Sequence, residues 1–261
     1  MKRNFGLIKI TILFLFFVQV TYGQNVRFVN QGTIEYEKRV NMYAKITKRI
    51  NKSNSSWMKQ IYDEYKRTQP QFQSTKATLS FSSDASLYEP AEANPMQGNN
   101  FLSNDPTINL KKVIYTDFKS GISTSEKNLY EETFLVEDTT RKIQWKITDE
   151  TREIAGYDCR RANALVMDSI YVVAFYTDQI PVSGGPESFT GLPGMILGLA
   201  LPHENTTWFA TKVSDVTVSS TKIVPPKKGK KLTNAGLLET LKASMKDWGD
   251  YAQDIFKAMM L

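Results

Sequence analysis

One cysteine and one histidine occur among the 261 residues, and their scarcity excludes several classes of protein. A lone Cys159 cannot close an intramolecular disulfide, so the fold must be held by apolar burial, which a chain of this size can supply. In an oxidising compartment such a thiol is safest buried and inert. The lone histidine, His203, lies in the turn-like stretch Leu-Pro-His-Glu-Asn between two strand patterns. A Ser–His–Asp or Cys–His relay would have to use it, yet no Gly-x-Ser-x-Gly nucleophile turn occurs, so it reads as a loop histidine. One His and one Cys cannot build a tetrahedral zinc site from the usual ligands. The acidic pairs Glu131-Glu132 and Asp149-Glu150 lack the interleaved Asp/Asn and Gly of a calcium loop, and Met42, Met58, Met167, Met195 and Met245 are too dispersed for copper. Neither a metal nor a cofactor is expected, and there is no convincing catalytic constellation.

Long apolar runs are scarce too. The exception is Ile10 to Val20, which follows the basic Lys2, Arg3 and Lys9 and precedes Thr21-Tyr22-Gly23. Such a run falls short of the roughly 20 residues needed to cross a bilayer, but it suits an export signal cut after a small residue. Residues 1–23 are read as that signal, with Gln24 the new N-terminus. No cysteine lies near the cut to carry a lipid, and no later run could span a membrane. Removing the three signal cations lowers the formal net charge from +6 to +3. That mild excess gives no reason to expect nucleic acid as a partner. The basic residues Lys227, Lys228, Lys230 and Lys231, after Pro225-Pro226, make 225–231 a solvated basic linker.

What remains is dominated by period-two alternation, the pattern of strands with one buried face. Ile34 and Tyr36 alternate with Glu35 and Glu37; Ala77, Leu79 and Phe81 with Thr78, Ser80 and Ser82; Ile143, Trp145 and Ile147 with Gln144, Lys146 and Thr148. Tyr171 to Thr177 is apolar on both sides and predicts a strand covered on both faces, and Trp208 to Val218 predicts another strand. Short spacings with turn residues between them point to antiparallel pairing. Two stretches look helical. Trp57, Ile61 and Tyr65 step by fours behind the capping candidates Asn54 and Ser55, and Pro70 ends the pattern. Leu237, Leu241, Met245, Trp248, Ala252, Ile255 and Met259 predict one amphipathic helix over 234–260, docked on the domain. Residues 83–109, with Pro90, Pro95 and Pro106 and few large apolar side chains, predict a long loop.

The densest motif follows the apolar strand. Thr177-Asp-Gln-Ile-Pro181 leads through Gly184-Gly-Pro186 and Glu187-Ser-Phe-Thr190 to Gly191-Leu-Pro-Gly-Met-Ile-Leu197. Pro193-Gly194 suits a type II turn, so the chain is expected to leave the core, make a compact Gly/Pro loop and re-enter. With Glu153-Ile-Ala-Gly-Tyr-Asp-Cys-Arg-Arg-Ala162 and Phe175-Tyr176 ahead of it, this segment resembles the GLPGLI family, with Met195 where that motif has Leu. The resemblance covers about Ile143 to Val218. It implies an exported, β-rich protein of Bacteroidetes-type bacteria, with no family catalytic residue to carry over. The positions it marks are Gly156, Tyr157, Cys159, Tyr176, Gly185, Pro186, Gly191, Leu192, Pro193 and Gly194, a ligand or partner surface or else a structural element.

The expected fold is mainly β: a curved antiparallel sheet or half-open barrel, one domain over 24–261, with a docked C-terminal helix and one short N-terminal helix. The expected role is that of a non-catalytic periplasmic binding or accessory protein of the cell envelope, serving a TonB-dependent outer-membrane transport system. Its partner would be an outer-membrane or other envelope protein, or an apolar or peptide ligand held near Trp145, Phe175, Tyr176 and Leu192. The rival readings are a structural envelope component and a hydrolase built on Asp158, Asp178 or Glu187, which would need two carboxyls about 5–10 Å apart in a cleft. Amino-terminal sequencing of the protein from its native envelope should begin at Gln24; a start at Met1 would overturn the cleaved-signal reading.

Overall fold

The computed structural model describes residues 28–91, 105, 108 and 110–261. The signal at 1–23 and most of the 83–109 stretch lie outside them. The alternating stretches become strands: β1 (Gly32–Asn41), β2 (Phe72–Phe81), β3 (Ala85–Pro90), β4 (Lys111–Asp117), β5 (Ile122–Leu129) and β6 (Glu132–Thr139) in the first half. The second half contributes β7 (Lys146–Ile154), β8 (Tyr157–Val166), β9 (Ile170–Thr177), β10 (Met195–Leu201), β11 (Thr206–Ser214) and the short β12 (Lys230–Leu232). The helices among the described residues are α1 (Met42–Arg49), α2 (Ser55–Thr68), α3 (Asn234–Ser244) and α4 (Gly249–Met260), with a 3-10 turn at Pro202–Glu204.

All twelve strands join one sheet in the order β12-β6-β5-β4-β3-β2-β1-β11-β10-β9-β8-β7. Strands β2 to β6 form one meander and β7 to β11 a second, and β1 joins them by pairing with β2 on one side and β11 on the other. Every pairing is antiparallel except β12 on β6. The edges β12 and β7 do not meet, so the sheet is not closed into a barrel, and the expectation of a mainly β, antiparallel-dominated fold holds.

The main core lies where the meanders meet. Ile34 and Tyr36 of β1, Leu79 and Phe81 of β2, and nearly all of β9 and β10 are buried there. The expectation for Tyr171 to Thr177 therefore holds: β9 is covered on both faces, with Val172, Ala174 and Tyr176 buried on one and Val173, Phe175 and Thr177 on the other. Each large apolar side chain placed this way contributes about 1.5–3 kcal/mol relative to exposure. The tight β7–β8 connection places Ala155 at φ 52° and Gly156 at φ 82°, the pair of positive angles that suits the strands' twist.

Several expectations are corrected. The N-terminal region holds two helices, because Asn41 caps α1 by accepting from the Ala44 N–H and the chain breaks at Ile50 before α2 begins. In α2 the buried face is carried by Met58 and Tyr65 while Trp57 is exposed, and Asn54 turns its amide to Arg49 instead of capping. The single helix over 234–260 is two, interrupted at Met245–Trp248 with Gly249 at φ 56°. The apolar stripe survives the break except at Trp248, which points out and stacks on Tyr251. The 83–109 loop contains β3, whose Leu87 and Tyr88 are buried, and the 225–231 linker ends in β12. Strand β7 starts at Lys146, so Trp145 precedes it and Ile147 is exposed; β11 ends at Ser214 rather than Val218.

Glycine at two positions is dictated by space. A Cβ on Gly194 would stand 2.1 Å from the Thr177 carbonyl oxygen, and one on Gly185 2.7 Å from that of Phe189. At Gly156 a Cβ would meet nothing within 4 Å, leaving only the strain of a left-handed backbone. Gly156→Ala should therefore cost about 1–2 kcal/mol, a fall in Tm of roughly 2–8 °C, while Gly194→Ala should cost more than that. Thermal unfolding of the two variants checks the order, and equal losses would contradict the packing argument.

Candidate functional site

The Gly/Pro motif folds as a self-satisfied loop. Val182 donates to Ile180, Gly184 to Val182 and Ile196 to Gly184, at 2.8, 2.8 and 2.9 Å. The Gly191 N–H donates to Ser183 Oγ at 3.0 Å, and the Trp145 indole N–H to the Thr190 carbonyl at 2.9 Å. From β1 the Tyr36 hydroxyl donates to the Ile196 carbonyl at 2.6 Å, and burial holds that phenol well above its ordinary pKa. The turn glycine is Gly191, at φ 95°, whereas Gly194 at φ 158° is close to extended and does not make the expected type II turn.

Of the ten motif positions, Cys159, Tyr176, Gly185, Pro186, Leu192 and Gly194 are buried in the core, Tyr157 is half-buried, and Gly156, Gly191 and Pro193 lie on turns at the surface. Burial pushes the Cys159 thiol up to about 12, with Asp158 adding to the effect, so the sulfur stays protonated and inert. Phe175, Tyr176 and Leu192 pack in the main core, with Trp145 against it, and they line none of the clefts described below.

One side chain of the loop does face a cleft. Pro186 turns the chain, Glu187 takes a left-handed backbone at φ 53°, and its carboxylate is directed inward with the residue only 6% exposed. A non-glycine residue held there is strained by about 1–2 kcal/mol, so its surroundings must fix it. They do so through charge. Lys112 of β4 forms a close ion pair with Glu187, and Lys38 of β1 lies 3.3 Å from it while its ammonium sits 5.0 Å from the Trp208 ring centre. Burial alone would raise the Glu187 carboxyl, but Lys112 and Lys38 more than reverse it, to about 2. Burial lowers the Lys112 ammonium, and Glu187 opposes that shift.

These groups floor a cleft of about 600 Å³. One wall is α1 and the start of α2, with Lys45, Lys48, Arg49, Trp57 and Met58; the opposite wall is α4, with Tyr251, Asp254 and Lys257; the 3-10 turn closes the end with His203 and Glu204. Glu204 is shared by Lys257 at 3.6 Å and Lys48 at 4.0 Å, and Arg49 pairs with Asp105 and lies 3.8 Å from Asp254. Burial, reinforced by Arg49, lowers Lys45 to about 8. The cleft thus combines apolar walls with amines, carboxylates and aromatic rings, the composition of small-molecule sites. Asp158 and Asp178 are exposed and line no part of it, so the three proposed hydrolase carboxylates do not share this cleft. Among the described residues no three His, Cys, Asp or Glu side chains group so as to hold a metal ion. Sequence reasoning singled out Glu187 only as a hydrolase candidate and missed the lysines, although Lys38 falls in step with Ile34 and Tyr36 in β1 and Lys112 with Ile114 in β4, the period-two signal that could have placed them inward.

The family described as a protein of unknown function, Porph_ging, matches residues 165–198, from the end of β8 through β9 and the Gly/Pro loop into β10. No curated protein matches the sequence. Structures of PNGF-II in the P21 and C2 space groups resemble it at 16% and 15% identity, with TM-scores of 0.49 and 0.50, over 84% and 87% of this chain. The matched region is 34% and 33% of PNGF-II, so the chain spans about a third of that protein's length, and the C2 match shows a shared fold and nothing further. An uncharacterized conserved protein from Thermus thermophilus matches with a TM-score of 0.38 at 4% identity, over 79% of this chain and 92% of that one.

Glu187→Gln should destabilise the protein by about 3–5 kcal/mol at pH 7, because it leaves the buried Lys112 and the half-buried Lys38 without a carboxylate. The wild-type advantage is linked to pH. The carboxyl ionises at about 2 in the fold against an ordinary value of 4.5, so its contribution is complete above 4.5 and is lost as pH falls toward 2. Urea unfolding of both proteins should converge over that window; a constant gap would show that charge is not the cause.

Proposed function

We propose that this chain is a non-catalytic binding protein of the cell envelope, exported to the periplasm, which holds a small ligand in the cleft between α1–α2 and α4. The observation that carries the reading is the cleft itself: about 600 Å³, walled by Trp57, Met58, Leu201, Trp208 and Tyr251, with a fixed ion cluster at its floor. Apolar rings supply affinity and buried charges supply orientation, and the packed floor means the site is pre-formed. His203, the one imidazole of the chain, stands on the 3-10 turn at the end of this cleft.

The compartment rests on the basic and apolar start of the sequence and on the resemblance to the GLPGLI family. That resemblance is also the ground for proposing service to a TonB-dependent outer-membrane transport system. Native mass spectrometry of the protein purified from its own periplasm tests the binding role. A retained small molecule that is lost in Trp208→Ala, with the variant still folded, is the expected result. A preparation that carries no retained ligand and no co-purifying envelope protein would sink it.

A further inference from the structure

Lys112 and Lys127 stand directly opposite one another on the paired strands β4 and β5, and both are buried, at 4% and 5% exposure. Like charges so placed repel, and burial makes the repulsion dearer. Arg141, just past β6, brings a third cation to the same region. The available carboxylate, Glu187, is within ion-pair distance of Lys112 and Lys38; among the described residues, none is that close to Lys127 or Arg141.

Part of the excess is offset by α4. The last carbonyls of a helix have no partner within it and carry partial negative charge. Here Lys112 donates to Ala258 O at 3.3 Å, Lys127 to Met259 O at 2.6 Å, Arg141 to Met260 O, and Ser188 Oγ to Leu261 O. Neutral carbonyls do not discharge three ammonium and guanidinium groups, however. One guanidinium nitrogen of Arg141, Nη1, is buried and has no hydrogen-bond partner.

Beside these groups opens a second cleft, of about 370 Å³, lined by Lys127, Arg141, Lys142 and the hydroxyls of Thr116, Ser123, Ser125 and Ser188, of which Ser123 and Ser188 already donate to the Tyr115 and Leu261 carbonyls. Thr116 and Ser125 are themselves buried. Asp138 also lines it, but its carboxylate accepts the backbone N–H groups of Asn234 and Thr139. A planar guanidinium edge, an ammonium and hydroxyl donors around one cavity are the chemistry that recognises a tetrahedral oxyanion. We propose that this pocket is a binding site for a phosphate or sulfate group, held by Lys127 and Arg141 and distinct from the cleft floored by Glu187.

The pocket's protonation supports the assignment. Burial, reinforced by Lys112 of β4 and by Arg141 and opposed by Glu187 from the Gly/Pro loop, lowers Lys127 to about 7; from α4 it faces the Met259 carbonyl. An anion would favour the charged amine, so binding takes up a proton and weakens as pH rises through about 7.

Calorimetric titration of the full chain provides the test, with sodium sulfate for the pH series because its charge is constant there. Binding is expected at pH 6 with millimolar or better affinity, falling by up to about tenfold per pH unit above the Lys127 midpoint. Arg141→Gln should abolish it, while Lys146→Gln, an exposed charge that lines neither cleft, should leave it within about twofold. Thermal unfolding of each variant confirms that it is folded. Should Arg141→Gln fail to fold, Ser125→Ala provides the second reading, with an expected loss of about five- to tenfold for one hydrogen bond. Inorganic phosphate and phenyl phosphate distinguish the sources: tighter binding of the ester assigns a phosphate carried on a larger molecule, and equal or weaker binding assigns the free ion. No heat of binding with any of the three at pH 6, a pH-independent affinity, or equal losses in the Arg141 and Lys146 variants would overturn the site.

Discussion

The carboxylate of Glu187 ties together segments that lie far apart in the chain. Through Lys38 it holds β1, through Lys112 it holds β4, and Lys112 continues to the last turn of α4. The Gly/Pro loop supplies the carboxylate itself, from a backbone conformation that would relax elsewhere if these partners were removed. Such a cluster adds little net stability, because apolar side chains of the same volume would do as well. What it adds is direction. Ions satisfied in one geometry fix where the loop, two strands and a helix meet, and that junction is the floor of the cleft.

The other side of the same junction shows how α4 is held. Its apolar stripe rests on Leu129, Phe134 and Val136, a contact that allows sliding. Its carbonyl end meets Lys112, Lys127, Arg141 and Ser188, a contact that does not. Apolar packing provides most of the free energy and the polar end provides the register. The two clefts lie to either side of this docked helix end, and Leu261 lines both.

Much of the architecture was legible because it rests on period. The alternations at Ile34, Tyr36, Leu79 and Phe81 mark buried faces, and the unbroken apolar run of β9 marks a covered strand. The failures share a cause, since each needed tertiary information. The helix over 234–260 keeps one apolar stripe across its break, so periodicity cannot show that Gly249 turns the chain. Strand β3 hides in a Pro-rich stretch because the whole of its Ala85–Tyr88 segment is buried between β2 and β4, without alternation. The cleft was illegible for a related reason. Lys38, Lys112 and Lys127 stand in step with Tyr36, Ile114 and Leu129, on the inward faces, but which segments far away in the chain supply their partners is written only in the tertiary pairing. The Gly/Pro motif drew notice, correctly, as the most constrained segment. Its glycines serve close packing, while its one buried charged residue reaches a cavity.

The placement of β1 between the two meanders has a consequence for the order of assembly. Its outer partner β11 supplies Ser214 opposite Thr33 and Thr207 opposite Arg39, contacts that close loops of roughly 170–180 residues. Closing so long a loop is entropically costly, and pairings of this kind form late and slowly. The first meander can condense on its own, but the main core cannot, because most of it comes from β8 to β11. A growing chain therefore has no completed core until its last third has emerged, and with no disulfide to trap partial structure it stays pliant through synthesis.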